Sequence, residues 1–467
     1  MQLVSLLLKI LAVFLLFLPV LIAASQPVIM QGSDFVMTFY PVGKMVVSGL
    51  AQNIYPPPSA SSFVDAPFNL YVHQLLSFLP KQYVAVYMYS PLMALFFVPF
   101  SFLTAQNALI AWQIFSILVL SLVAWLSSRG DRYLALEYFS MLALFCPIFH
   151  TLLIGHLGIV VGLLPLALGY ALLSRGKDVA AGMVWGALVL KPQFLPTALL
   201  VCGALFFSKR PKATIGLLLG LLIFGLATVF ALGPDLFTEW LNSFKMSDTI
   251  FAKAGYQFPA YMVVSLPAVI VQTFPGLPAT KQVAYGLAGL IGLFALWRGT
   301  SILTNVAKPA SAQAQPTVET ARAHRAAVAL VMLEGLFVLP LVLPHFLFYD
   351  FCGLGLLAVI AGQGHLWGVE AGRVKFLRVA TWWACNLYYV SFMFLPVAPL
   401  KQWYALVLVA IFAFFFYKIP GVAAARVDDR QIKAEQASTA AVAPANFEDL
   451  DKLDRLDKLD VNESKDG

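Results

Sequence analysis

The chain has 467 residues, of which 60% are hydrophobic, 14% aromatic and 11% charged, with a formal net charge of +7. Soluble globular proteins carry about 25% charged residues, so this composition excludes a soluble globule. Roughly twelve apolar spans of about 20 residues fit in a chain of this length, which predicts an all-α, polytopic helical membrane protein. In such a protein the basic residues act first as determinants of topology, and we expect no nucleic-acid partner.

The first predicted element is the apolar segment from Met1 to Ala24, either an uncleaved first helix or a cleaved signal peptide. Further apolar runs predict membrane-spanning helices at 106–127, 134–153, 156–174, 213–233, 281–299, 327–347, 376–396 and 402–419. Shorter apolar runs lie at 179–190, 193–207 and 349–362. The first two of these predict a short hairpin that breaks at Lys191-Pro192.

The segment from Val84 to Thr104 decides the topology. If it crossed the membrane, the basic turn at 128–132 would lie outside and every later loop would be inverted. If it lies along the outer surface, the basic clusters of the later loops all fall inside, as the positive-inside rule requires. The second arrangement gives twelve spans with both termini cytoplasmic, an outer half-helix at 261–274, and two long outer loops, at 26–105 and 233–280. No arginine then faces outward.

The composition divides the chain into a membrane domain, residues 1–425, and a polar tail, residues 426–467. The tail ends in a Leu-Asp-Lys repeat and is predicted to be disordered or weakly helical in the cytoplasm. The four cysteines lie in apolar runs without metal-binding spacing and are predicted to be small core residues: Cys146, Cys202, Cys352 and Cys385.

Few ionisable residues lie within the predicted spans, Glu334 being the clearest, and no internal repeat is evident. Transporters commonly have ionisable residues inside their spans and repeated halves, so an enzyme is favoured over a conduit. Polar residues gather instead in the first outer loop and at the outer ends of later spans. The sequence therefore predicts a site at the outer membrane surface.

The polar residues form a series of motifs along the chain. In order, these are an acidic residue after the first span, Tyr40 with Gly49 to Tyr55, Tyr89-Ser-Pro91, a Gly-x-x-Gly motif at Gly155, Ala181-Gly-x-x-x-Gly186 followed by Lys191-Pro192, and Pro344-His-x-x-x-Tyr-Asp350. This order of motifs resembles glycosyltransferase family 87. The resemblance implies a GT-C fold and a polyprenyl-phosphate sugar donor, as in actinobacterial lipoglycan α-(1,2)-mannosyltransferases. One departure, Gly155-His156-Leu157-Gly158 in place of Gly-Gln-x-Asn, bears on the sugar or acceptor preference.

Asp34 lies about ten residues beyond the first span, at a depth where it can reach the reacting carbon of a lipid-linked phosphosugar. We expect it to act as the catalytic base, because a phosphate leaving group needs little protonation and one base suffices. Capping of the following surface helix is a compatible alternative role. Asp65 is a second loop carboxylate without a matching motif.

The donor phosphate is expected to bind Lys191, His345 and His156, since a lysine at a helix break is costly unless it faces water or an anion. Tyr40, Tyr89 and Asp350 are expected to bind substrate. For the tyrosines an interfacial aromatic belt remains an alternative, and for Asp350 the anchoring of its own helix.

These features predict an inverting hexosyltransferase, with mannose favoured, in the bacterial inner membrane with its active site facing the periplasm. Its expected partners are a polyprenyl-phosphate sugar, a glycan or glycolipid acceptor and membrane lipids. No metal or other cofactor is expected, because fixed cations can neutralise a monophosphate. A twelve-span transporter or lipid-linked-glycan flippase is the main alternative, and a structural subunit of a polysaccharide assembly machine is a weaker one.

Overall fold

The computed structural model describes residues 2–57, 63–80, 83–251, 263–274, 279–306, 318–344, 346–363, 366, 371–394 and 407. The described residues form helices and connecting loops. They contain no β-strand, but Val263 and Leu347 form a single antiparallel β-bridge. The predicted span at 402–419, except for position 407, and the tail lie outside the described residues. The all-helical fold class is confirmed.

The first helix, α1 (Gln2–Ser25), is followed by a segment of short helices. These are α2 (Tyr40–Val47), α3 (Pro67–Leu75), α4 (Pro91–Phe96) and α5 (Val98–Ser101). The segment 84–104 is therefore not one long helix: residues 83–88 have no helical structure, and α4 and α5 each span only a turn or so. This agrees with the prediction that it does not cross the membrane as a helix.

The next helices are α6 (Ala105–Ser127), α7 (Arg132–Ala143) and α8 (Cys146–Ile154). One continuous span was expected at 134–153, but α7 and α8 are bent by 71° at the break between them. Pro147 in the first turn of α8 disfavours helical backbone just before it. Asn386 compensates, since it accepts from the Cys146 amide at 2.8 Å and donates to the Leu144 carbonyl at 3.3 Å.

The middle of the chain forms α9 (Leu164–Ser174), α10 (Asp178–Gly186), α11 (Leu195–Phe207) and α12 (Lys212–Leu232). The predicted hairpin is present and breaks at Lys191, which stands between two short 3₁₀ segments, Ala187–Leu190 and Pro192–Phe194. A Cβ on Gly186 would lie 2.5 Å from the Gly220 backbone. Small residues thus let α10 and α12 pack backbone against backbone.

The remaining helices are α13 (Pro234–Phe251), α14 (Leu266–Thr273), α15 (Thr280–Val306), α16 (Val318–Val342), α17 (Leu354–Ala361) and α18 (Ala371–Phe394). The predicted outer half-helix corresponds to α14 in its described part. The buried Glu334 of α16 lies 3.7 Å from Arg298 of α15, so the ionisable residue noted inside a span has a partner of opposite charge. Three of the four predicted core cysteines are buried and Cys146 is partly buried.

Within the described residues, five helices are long and apolar enough to cross a membrane, or six if the bent α7–α8 pair counts as one span. The five segments are Leu6–Ser25, Ala105–Ser127, Lys212–Leu232, Thr280–Asn305 and Arg322–Val342. The chain is therefore a membrane protein. Other predicted apolar segments form shorter helices, such as Gly158–Ser174 and Phe348–Ala361, whereas the predicted span at 376–396 lies largely in the continuous 24-residue helix α18.

Candidate functional site

An aromatic cluster fixes the segment that carries Asp34. Immediately after it, Phe35 stacks on Trp112 of α6 with ring centroids 5.7 Å apart, and Phe39 stacks on Phe97 at 5.0 Å. Both phenylalanines are fully buried and lie in a short π-helix, Phe35–Phe39. Asp34 is therefore held at the edge of a packed core, although it lies in a loop region of the sequence.

Ser33 performs the capping role that the sequence allowed for Asp34. The Ser33 hydroxyl accepts from the Val36 amide at 3.3 Å and donates to the Ile154 carbonyl at 2.9 Å. The Asp34 side chain makes no capping hydrogen bond. Its carboxylate is consequently not engaged by the helix that it precedes.

Lys191 lies at the break between the two hairpin arms and is completely buried. Its ammonium Nζ is 2.6 Å from Oδ1 of Asp350, which is equally buried. The other Asp350 oxygen accepts from the Leu347 amide at 3.1 Å, so Asp350 also anchors the start of its own 3₁₀ helix, Phe348–Gly353. The two expected roles of Asp350, in the site and in its helix, are thus compatible.

His156 joins this pair from the loop after α8. Gly155 permits the sharp turn there because its φ of +70° lies in the left-handed region, and a Cβ would collide with Phe35. The His156 Nε2 atom is 3.0 Å from the Tyr89 hydroxyl and 3.5 Å from the Lys191 ammonium. Three distant segments of the chain therefore meet at the His156 ring.

Asp34 is electrostatically coupled to the same group of residues. Burial raises the pKa of the Asp34 carboxyl to about 7, with Lys191 lowering it and Asp350 raising it by smaller amounts. Burial also raises the pKa of the Tyr89 hydroxyl well above its usual value, and the negative charges of Asp34 and Asp350 add to this shift. Asp34 can thus exchange a proton near neutral pH.

Two candidate residues are not placed in this group. The Tyr40 hydroxyl donates to the Leu103 carbonyl at 3.0 Å, and its ring faces Lys44. His345 lies outside the described residues. Asp65, the other loop carboxylate, is exposed. The structure therefore brings together Tyr89, His156, Lys191 and Asp350, and Asp34 interacts electrostatically with this group.

Tyr349 belongs to the site, although the sequence analysis did not select it. Its ring centroid is 4.0 Å from that of His156, and the Lys191 ammonium lies over the ring at 5.7 Å. It occurs in the Pro-His-x-x-x-Tyr-Asp motif, directly before Asp350. That position was the available signal, but only the fold shows that the ring covers both His156 and Lys191.

The assembled group contains one cation, two carboxylates, a histidine and two tyrosine rings. Buried lysines are rare in proteins unless they are paired, and this one is paired with Asp350. No three His, Cys, Asp or Glu side chains in the described ranges are arranged to hold a metal ion. The arrangement offers a base of near-neutral pKa beside a fixed positive charge.

Comparison with known protein families gives a match over the middle of the chain. The family model of glycosyltransferase family 87 matches residues 87–314. This part of the chain is similar to glycosyltransferase family 87. The resemblance drawn from the sequence motifs is confirmed, and the match indicates a glycosyltransferase. No curated protein and no solved structure matches the chain.

The region that matches the family model includes Tyr89, His156 and Lys191. Asp34 and Asp350 lie outside its limits, on either side. Their connection with the family region rests on geometry, through the 2.6 Å ion pair of Asp350 and the electrostatic coupling of Asp34.

Proposed function

We propose that this protein is a family 87 glycosyltransferase that has the GT-C fold and transfers a hexose from a polyprenyl-phosphate carrier to a periplasm-facing glycan or glycolipid. Mannose is the favoured hexose. The proposal includes twelve spans in a bacterial inner membrane, with both termini in the cytoplasm. The observation that carries it is the meeting of Asp34, which follows the first apolar helix, with the buried Lys191–Asp350 pair.

The location of this group suits a lipid-linked donor. The tail of such a donor lies in the bilayer and its phosphosugar at the surface, so the reacting carbon lies near the ends of the spans. Asp34 follows α1 by nine residues. On the proposed topology this is the outer end of α1, where the donor head group and a periplasmic acceptor can meet.

The proposed reaction is a single displacement. The acceptor hydroxyl forms a bond to the anomeric carbon while the bond between that carbon and the phosphate oxygen breaks. Asp34 takes the hydroxyl proton, and polyprenyl phosphate leaves with the bonding electron pair. Direct displacement inverts the anomeric centre, so a β-linked donor gives an α-linked product.

Fixed positive charge binds the donor phosphate in this proposal. Lys191 is the central group, with His156 beside it at 3.5 Å and His345 as a further candidate. Lysine acts as a point charge for phosphate, without the bidentate geometry of arginine. Tyr40, Tyr89 and Asp350 remain the proposed substrate-binding residues, and Asp350 also holds the Lys191 ammonium in place.

We propose that no metal cofactor takes part, because a donor monophosphate carries little charge for a metal to neutralise. Activity of the purified protein should then persist in excess EDTA. Loss of activity in EDTA with recovery on adding Mg²⁺ or Mn²⁺ would show that a metal supplies the charge, and would make Asp34 or Asp350 its candidate ligand.

The decisive test of the function separates transfer from transport. Purified protein is reconstituted in vesicles with a polyprenyl-phosphate hexose and envelope glycan acceptors, and the products are analysed by mass spectrometry. Formation of a new glycosidic bond supports the transferase. Movement of the lipid-linked sugar across the bilayer without a new bond would overturn it in favour of a flippase.

A further inference from the structure

The tautomer of His156 follows from its two neighbours. A lysine ammonium carries three N–H donors and no acceptor, so an Nε2 atom 3.5 Å from Lys191 has to be the accepting partner. The Tyr89 hydroxyl, 3.0 Å from the same nitrogen, can donate to it as well. Nε2 therefore carries no hydrogen, and in the neutral ring the hydrogen resides on Nδ1.

Tyr89 is itself firmly held, so this tautomer is built into the site. The Tyr55 hydroxyl donates to the Tyr89 backbone carbonyl, and the Tyr89 ring packs against Phe39 with centroids 5.0 Å apart. Tyr349 packs against the His156 ring at 4.0 Å. The His156 ring is thus fixed in orientation by groups from three segments of the chain.

The Nδ1 atom of His156 is left without a partner. It is buried, the residue is only 1% exposed, and no hydrogen-bond acceptor for Nδ1 is found in the part of the chain that the structure describes. Buried N–H donors in proteins almost always have a partner, and an exception calls for an explanation such as a ligand. The adjacent Lys191 and Tyr89, both coupled to Asp34, place this donor beside the proposed reaction centre.

We infer that His156 is a donor-binding residue whose Nδ1–H group donates a neutral hydrogen bond to an oxygen of the bound phosphosugar head group, with Tyr89 as its positioning residue. The acceptor is either a sugar hydroxyl or a phosphate oxygen. This inference rests on the proposed function, and it gives His156 a role different from that of Lys191. Lysine supplies charge, whereas His156 supplies one directed hydrogen bond.

Two substitutions of His156 test the inference. His156→Leu keeps the bulk but removes both nitrogens, and His156→Asn restores an amide N–H near the position of Nδ1. Two measurements are made on each folded variant: the inhibition constant of sugar-free polyprenyl phosphate, and the loss in kcat/KM for each monodeoxy version of the donor hexose. Thermal unfolding in detergent establishes that the variants fold.

The two possible acceptors give different results. If Nδ1–H binds a sugar hydroxyl, the wild type discriminates about tenfold against one monodeoxy donor, and His156→Leu loses that discrimination while still binding polyprenyl phosphate normally. If Nδ1–H binds the phosphate, His156→Leu binds polyprenyl phosphate about tenfold more weakly and keeps every deoxy penalty. In both cases His156→Asn should recover part of the effect.

The positioning role of Tyr89 has a matched control in Tyr87. Tyr87 is also buried, but its hydroxyl donates to the Ser90 carbonyl and not to His156. Tyr89→Phe should reduce the same deoxy discrimination or phosphate affinity that His156→Leu removes, and Tyr87→Phe should leave it at the wild-type value. Equal effects of the two substitutions would reduce Tyr89 to a packing role.

The inference is overturned if a folded His156→Leu variant keeps both the polyprenyl phosphate affinity and all the deoxy penalties of the wild type. Its failure is distinct from failure of the proposed function. If the wild type transfers no hexose from any polyprenyl-phosphate donor, the function is wrong. If the wild type transfers hexose and the His156 variants match it, only the inference is wrong.

Discussion

At the scale of single residues, the Asp34 carboxylate is available to act as a base because Ser33, and not Asp34, caps the following helix. Ser33 caps the π-helix and ties it to the end of α8 through the Ile154 carbonyl. Burial then raises the pKa of the Asp34 carboxyl to about 7. A carboxyl of this pKa is partly ionised at neutral pH and accepts a proton more readily than an ordinary aspartate.

The raised pKa of Asp34 predicts the pH dependence of transfer. Below pH 7 the carboxyl is protonated and cannot accept the hydroxyl proton, so kcat/KM should fall as the pH is lowered through about 7 and reach a plateau above it. A donor phosphodiester does not titrate in this range. The profile is measured from pH 5 to 9 at subsaturating donor, and a flat profile would contradict the assignment.

The buried Lys191–Asp350 pair predicts a large effect on stability. Lys191→Met leaves Asp350 buried without a cation, which typically costs about 3–5 kcal/mol. The double variant Lys191→Met with Asp350→Asn removes both charges and should recover most of that loss. The unfolding midpoint in detergent measures this.

Measuring the polyprenyl phosphate affinity of the same two variants tests the role of the Lys191 charge separately from its effect on stability. Both should bind polyprenyl phosphate weakly, because each lacks the Lys191 ammonium. A single Lys191→Met variant as stable as the wild type, or a double variant with normal affinity, would contradict the role given to this pair.

The sequence allowed these residues to be selected but not their contacts to be predicted. Each of these residues lies in a short motif of polar residues within apolar sequence: Asp34, Tyr89, His156, Lys191 and Asp350. The ion pair between Lys191 and Asp350 depends on how the broken hairpin packs against the segment after α16. No local pattern encodes that packing, and for the same reason Tyr349 was not selected.

At the scale of elements, an apolar run predicts that a segment is helical, but it does not predict whether the helix is continuous. The run at 134–153 is continuous in hydropathy, yet the helix breaks before Pro147. The Cys146 amide and the Leu144 carbonyl at that break form hydrogen bonds with the side chain of Asn386, which lies far along the chain. The break at Lys191, by contrast, was predictable because both a charge and a proline interrupt the run.

The close packing of α10 and α12 predicts the cost of a single methyl group. In Gly186→Ala the added Cβ would lie 2.5 Å from the Gly220 backbone, so the two helices have to separate. Overpacking of this kind typically costs about 1–3 kcal/mol. Because α10 leads to Lys191, transfer should fall as well.

Gly225→Ala is the matched control for Gly186→Ala, since it lies on α12 with nothing within 4 Å of its added Cβ. Unfolding midpoints in detergent and transfer rates are compared for the two variants. Gly225→Ala should match the wild type or be slightly more stable. Equal loss in both variants would show that the helix contact is not the cause.

At the scale of the whole molecule, the proposed topology would place Asp34 on the same side of the membrane as the acceptor. A cysteine-free variant carrying Asp65→Cys should react from outside with an impermeant thiol reagent. Cysteines at the exposed positions Arg132 and Lys177 should react only after the membrane is opened. Labelling of position 132 from outside would invert the later loops and separate the site from the periplasm.

The fold class and the positions of most helices could be predicted from hydropathy, because apolar runs have to be buried or face lipid. The number of spans could not be fixed in the same way. Segments such as Phe348–Ala361 are apolar apart from Asp350, but they form short helices that begin with a 3₁₀ turn at the site. Their apolar character serves burial inside the protein, which hydropathy does not distinguish from contact with lipid.

The most direct test of the central claim is the transfer rate of purified wild-type protein and its Asp34→Asn variant in proteoliposomes, with polyprenyl-phosphate hexose as donor. Asparagine keeps the size of the side chain, and Ser33 still caps the helix, so the variant should fold normally. Without the base, transfer should fall by about 10²–10⁴-fold while affinity for polyprenyl phosphate is retained. Asp65→Asn, an exposed carboxylate of the same loop, should remain fully active. A well-folded Asp34→Asn variant with a near-normal transfer rate would contradict the account.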